Sequence, residues 1–127
     1  KYFSMFSQFK RVIITYSVDA VGKRYEYIRS GSNWKTVSEN IINTNRTKPI
    51  NTFIGVTCLP MILNINHMDE LEQWCKENNL HLNKSTELIY PDFLRVNAME
   101  DAELKTKLIK NLEILDKIHN TDYREFL

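Results

Sequence analysis

The sequence predicts an α/β fold, a parallel sheet whose strands alternate with helices as βαβαβα, and two patterns predict it. Two continuous apolar runs, Val12 to Val18 (VIITYSV) and Thr52 to Leu59 (TFIGVTCL), lack polar alternation and read as strands buried on both faces. Each is followed by apolar residues at helical spacing. Strands alternating with helices form right-handed βαβ crossovers and hence a parallel sheet. Three strands are too few for a closed eight-stranded barrel but suit half of an open one.

Residues 1–9 (KYFSMFSQF) begin at Lys1 without methionine and read as the last turns of a helix already under way, so the chain is expected to be a fragment. The first strand follows, then a long connection from Asp19 to Asn33 holding the turn residues Gly22, Gly31 and Ser32. Trp34, Val37, Ile41 and Ile42 mark the next helix, with Ser32 or Asn33 placed to cap it. After the second strand and Pro60, Met68, Leu71, Trp74 and Cys75 mark another helix, with Asn66 and Asp69 as a capping pair and Asn78-Asn79 suited to its end. A weaker third strand is expected at residues 85–90, broken at Pro91. Asn97 with Glu100 starts a last helix striped by Leu104, Leu108, Leu112 and Leu115. The expected division is a sheet-forming part over residues 1–95 and a C-terminal amphipathic helix over 96–127.

Seventeen Lys and Arg against sixteen Asp and Glu leave a formal charge of +1, which provides no electrostatic footprint for nucleic acid. No run of eighteen apolar residues suggests a membrane span. Cys58 and Cys75 are too few for a disulfide framework and too far apart for a CxxC-type metal site, and both sit in apolar company. They are expected to be reduced core residues of a cytoplasmic protein. Gly22, Gly31 and Gly55 form no phosphate-binding loop, and no HExxH, GxSxG or Cys/His ligand set occurs.

Functional groups of parallel α/β folds gather at the carboxyl edge of the sheet. That rule singles out Ser17 and Asp19, two apart at a strand end and therefore on one side of the sheet. They either cap the following loop or line a cleft. Arg29 reads either as a surface ion pair or as a ligand contact. Asn64, between Leu63 and Ile65, is a polar side chain in an apolar stretch. His67, His81 and His119 are isolated from one another and from any ligand set.

Ser17-Val18-Asp19, then Tyr25-Glu26-Tyr27-Ile28-Arg29, then Gly31-Ser32-Asn33-Trp34 and the helix after it resemble radical S-adenosylmethionine enzymes. The fourth strand of that family's six-stranded (β/α)6 partial TIM-type barrel often reads S-x-D, with an Arg following after a loop of this length. The likeness covers roughly residues 10 to 95 and is nearest to the twitch or SPASM branch. The family's CxxxCxxC motif, which holds a [4Fe–4S] cluster, is absent from this chain. The resemblance therefore implies strands four to six of the barrel, with the N-terminal half and the cluster ligands upstream of Lys1 and no metal ligand within the chain.

On that resemblance Ser17 contacts the bound S-adenosylmethionine and Arg29 meets its carboxylate. Asp19 and Asn64 line the barrel top near ribose or substrate, and Ile89 packs on the adenine. The implied activity is reductive cleavage of S-adenosylmethionine to begin radical chemistry on a small-molecule or peptide substrate, with this part inactive by itself. The rival readings are a small non-catalytic βαβ binding module and a degenerate helper subunit.

Overall fold

A computed structural model describes residues 2–84, 88, 90–95 and 106. The chain opens with helix α1 (Tyr2–Phe6) and strand β1 (Val12–Ser17), then helices α2 (Gly22–Ile28) and α3 (Trp34–Thr47). Strand β2 (Thr52–Cys58), a 3-10 turn (Ile65–His67), helix α4 (Met68–Glu77), strand β3 (His81–Lys84) and a second 3-10 turn (Asp92–Leu94) follow. The three strands form one parallel sheet in the order β1-β2-β3. No helix among the described residues is long and apolar enough to cross a membrane.

The parallel sheet is thus present, and two details differ from the sequence reading. The strands are not buried on both faces. In β1, Ile14 and Tyr16 pack toward the core while Ile13 is 63% exposed, and in β2 Ile54, Val56 and Cys58 are buried while Phe53 is 41% exposed. An apolar residue is legible as a strand former, but its type does not say which pleat face is covered. The Asp19–Asn33 connection is not all loop. Tyr25 and Ile28, three apart, bury one side of the short helix α2, which Gly22 enters at φ +60° and Gly31 leaves at φ +86°. A strand also forms at His81–Lys84, where Leu82 packs onto the core, and most of the strand expected at residues 85–90 lies outside the described residues. The helix expected from Asn97 lies outside the described residues but for Thr106.

Caps and aromatic contacts hold the helices to one side of the sheet. Asn33 caps α3, its Oδ1 accepting from the Thr36 amide at 2.9 Å and the Thr36 hydroxyl at 3.0 Å. Glu26 Oε1 accepts from the Trp34 amide at 2.9 Å, so α2 satisfies a second orphan donor of α3. Asn66 does not cap α4; His67 holds the N-cap position, and its side chain makes no cap bond to a backbone amide. Asn79, at φ 51°, ends α4 in the left-handed conformation. Tyr25, Trp34 and Trp74 form a chain with ring centroids 5.2 Å and 5.0 Å apart, linking α2, α3 and α4. Beneath them Ile41, Val56, Ile65 and Leu71 are fully buried, with Cys58 and Cys75 in the same core.

Among the described residues the opposite sheet face is the more exposed one, and its strand positions hold no Lys, Arg, Asp or Glu. Its rows, set by the strand register, are Ile13 beside Phe53, then Thr15, Gly55 and His81, then Ser17, Thr57 and Asn83. The face therefore grades from apolar at the amino end to hydrogen-bonding at the carboxyl end. Arg11 lies over the Phe53 ring at 4.9 Å, at the apolar end.

The two faces predict opposite responses to truncation. Leu71→Ala is expected to lose about 2–5 kcal/mol of stability in denaturant titration, whereas Ile13→Ala on the open face should shift it by about 0.5 kcal/mol or less.

Candidate functional site at the carboxyl edge

β1 and β2 end side by side, Ser17 in register with Thr57, and the ladder extends one step as the Val18 amide donates to the Thr57 carbonyl at 2.8 Å. Beyond that point the backbone leaves the sheet and Asp19 turns inward, only 3% exposed. A buried carboxylate needs charge-assisted partners, and Asp19 has them on both oxygens. Oδ2 accepts from Arg29 Nε at 2.9 Å and pairs with Arg29 Nη2 at 2.7 Å. Oδ1 accepts from the Leu59 amide at 3.1 Å, tying the end of β1 to the chain leaving β2.

Asn64 completes the tie. It is 1% exposed, and its Nδ2 donates to the Asp19 carbonyl and the Leu59 carbonyl, each at 2.9 Å. Its Oδ1 accepts from the Met61 amide at 2.8 Å, closing the turn that follows Pro60. Cys58 Sγ lies 3.6 Å from Asn64 Nδ2 and 3.7 Å from the Asp19 carbonyl, close enough for weak sulfur contacts.

Arg29 stands where α2 stops. Its amide donates to the Tyr25 carbonyl at 2.8 Å, and its carbonyl accepts from the Ser32 amide at 3.0 Å. Its side chain is 44% exposed, against 4% for that of Asp19. Asp19 takes the Nε and Nη2 side of the guanidinium, and the fork carries further N–H groups beyond the two Asp19 receives.

The structure therefore brings Asp19, Arg29 and Asn64 into one network, with Ser17 exposed at the adjoining strand end. Ile89 lies outside the described residues. Sequence reasoning did not single out Thr57 or Asn83, which flank Ser17's row, because that row exists only once register is known. It also did not find the Arg24–Glu70 ion pair at 2.7 Å, which joins α2 to α4 across forty-six positions. Burial tends to raise the Glu70 carboxyl, but hydrogen bonds from Arg24 and His67 outweigh it and hold it below its usual 4.5. A depressed carboxyl contributes stability above its unfolded value, and that contribution fades as pH falls through the folded one.

Among the described residues no group of three His, Cys, Asp or Glu side chains is placed to hold a metal ion. Cys75 is a poor ligand by its surroundings, because burial, with Glu72 adding to it, pushes its thiol up to about 12. Comparison with protein-family models, with curated proteins and with solved structures finds no match to this chain.

Two measurements test this description. Asn64→Ala leaves the Asp19 and Leu59 carbonyls and the Met61 amide without their partner, and should cost about 3 kcal/mol or more in chemical denaturation. Alkylation of Cys75 by iodoacetamide at pH 8 should be negligible in the folded chain and rapid in denaturant.

Proposed function

We propose that this chain is the second half of a radical S-adenosylmethionine barrel, with the cofactor's methionine end held at the carboxyl edge. The observation that carries the reading is Arg29, a half-exposed guanidinium gripped from one side by a buried carboxylate at that edge. Such a fork suits a carboxylate ligand, since two parallel N–H groups match two oxygens.

The winding of the sheet supports the barrel. Strand order β1-β2-β3 with α3 and α4 sharing one core suits a barrel wall; a doubly wound sheet carries helices on both faces. The open face suits a lumen. A solvent-facing sheet surface ordinarily mixes in Lys and Glu, whereas these rows hold none. An apolar amino end suits the filled bottom of a barrel, and the row of Ser17, Thr57 and Asn83 suits a polar ligand above it.

The residues fit S-adenosylmethionine but not its cluster. Ser17 would contact the cofactor, Arg29 its carboxylate, and Asp19 and Asn64 would shape the edge; Ile89 remains the proposed adenine neighbour. Two buried cysteines in the core cannot provide the three thiolates of a [4Fe–4S] cluster, whose ligands are assigned to the half upstream of Lys1. Together cluster and cofactor supply hydrogen-atom abstraction, and this half of the barrel orients the cofactor and excludes water. The substrate, a small molecule or peptide, would lie over the open face, and the compartment assigned is the cytoplasm.

Calorimetric titration with S-adenosylmethionine tests the assignment. Ser17 is exposed, so Ser17→Val should change stability by about 0.5 kcal/mol or less yet weaken binding about fivefold or more through the lost hydroxyl. Binding that is undiminished in this variant counts against the cofactor site. Anaerobic incubation of the chain with iron and sulfide should leave its visible spectrum featureless. The open face further predicts self-association in sedimentation velocity; a compact monomer would favour a small βαβ binding module.

A further inference from the structure

Asp19 is the most confined charged group of the carboxyl edge, and its surroundings leave it little to offer a ligand. One oxygen carries both contacts from Arg29 and the other takes the Leu59 amide, while its own backbone carbonyl takes Asn64 Nδ2. With 3% of its surface exposed, it reaches solvent through Arg29 rather than directly. Arg29 by contrast is a long side chain that starts at a helix end and is 44% exposed, a situation in which guanidinium groups ordinarily sample several rotamers.

We propose that Asp19 is a positioning residue: it holds the Nε and Nη2 side of Arg29 so that the remaining N–H groups face outward in a fixed orientation toward a carboxylate ligand. This rests on the cofactor reading above and deepens it, because it moves Asp19 from ligand contact to the group that acts through Arg29. The physical gain is preorganisation. A fork already fixed by one carboxylate loses less conformational freedom when it meets a second. The Leu59 and Asn64 bonds extend the same logic one shell outward, since they fix Asp19 to the ends of both β1 and β2. The arrangement also balances charge. Asp19 neutralises Arg29 when no ligand is present, and the Asp19–Arg29 pair meeting a ligand carboxylate carries a single net negative charge.

The test compares S-adenosylmethionine with decarboxylated S-adenosylmethionine, which keeps the sulfonium and amine and lacks only the carboxylate. The wild-type full chain is expected to prefer the former about tenfold or more, the worth of a charge-assisted hydrogen bond. Asp19→Asn keeps the shape and an acceptor for the Leu59 amide but withdraws the charge that grips Arg29. In this variant the preference should shrink to about threefold or less, with the thermal unfolding midpoint showing that the fold persists. A preference left undiminished by Asp19→Asn overturns the positioning role while sparing the cofactor reading. A wild-type chain that shows no preference overturns both. Nitrogen-detected NMR of Arg29 gives a ligand-free readout that holds even where Asp19→Asn fails to fold. The wild-type Nε–H should be resolved and slow to exchange; exchange as fast as in free arginine overturns the proposal.

Discussion

The ion pair between Asp19 and Arg29 is the contact on which the carboxyl edge of this molecule depends. A carboxylate with 3% exposure is costly to bury without partners, and here they come from two separate places in the chain. Arg29 arrives from the end of α2 and the Leu59 amide from the exit of β2, while Asn64, from the turn beyond Pro60, donates to the backbone carbonyl of the same residue. None of these segments has a reason to approach the others by local propensity alone. The charge draws them together, and the bonds it accepts fix the spacing of the two strand ends. Because Arg29 is itself half-exposed, solvent screens the pair from outside, so its contribution is as much to geometry as to stability.

That tie sits at one end of a sheet whose two faces are unlike. The covered face is a conventional core in which Ile41, Val56, Ile65 and Leu71 interlock beneath the Tyr25–Trp34–Trp74 chain. Among the described residues the other face grades from Ile13 and Phe53, with Arg11 over the Phe53 ring, to Ser17, Thr57 and Asn83. On the proposed reading this gradient suits a barrel lumen, whose polar end is the same edge at which Arg29 stands.

Much of this is legible in the amino-acid sequence. The continuous apolar runs located β1 and β2, and the helical stripes located α3 and α4, because those patterns depend on local periodicity. Asn33 was legible as a cap for the same reason. What escaped was whatever depends on a partner distant in sequence. Helix α2 is only a few residues long, and its sequence GKRYEYI shows a single buried pair, so its stripe is too short to stand out from a turn-rich connection. The strand at His81–Lys84 was not read from the sequence, because Leu82 is the single residue of HLNK that packs onto the core. At the site, spacing alone placed Ser17 and Asp19 on one side of the sheet; it did not show that Ser17 stays exposed while Asp19 is sealed in.

That last difference separates the residues of the edge by what they can still do. Asp19 and Asn64 direct their hydrogen bonds to other parts of the protein and are almost fully buried. Ser17 and Arg29 lie one step outward, attached to that saturated pair through a strand end and an ion pair. A group that binds a ligand well must be fixed without being used up, and a buried neighbour with no further partners to seek is what fixes it. Asp19 thereby restrains Arg29, and on the proposed reading that restraint holds the guanidinium ready for a ligand carboxylate.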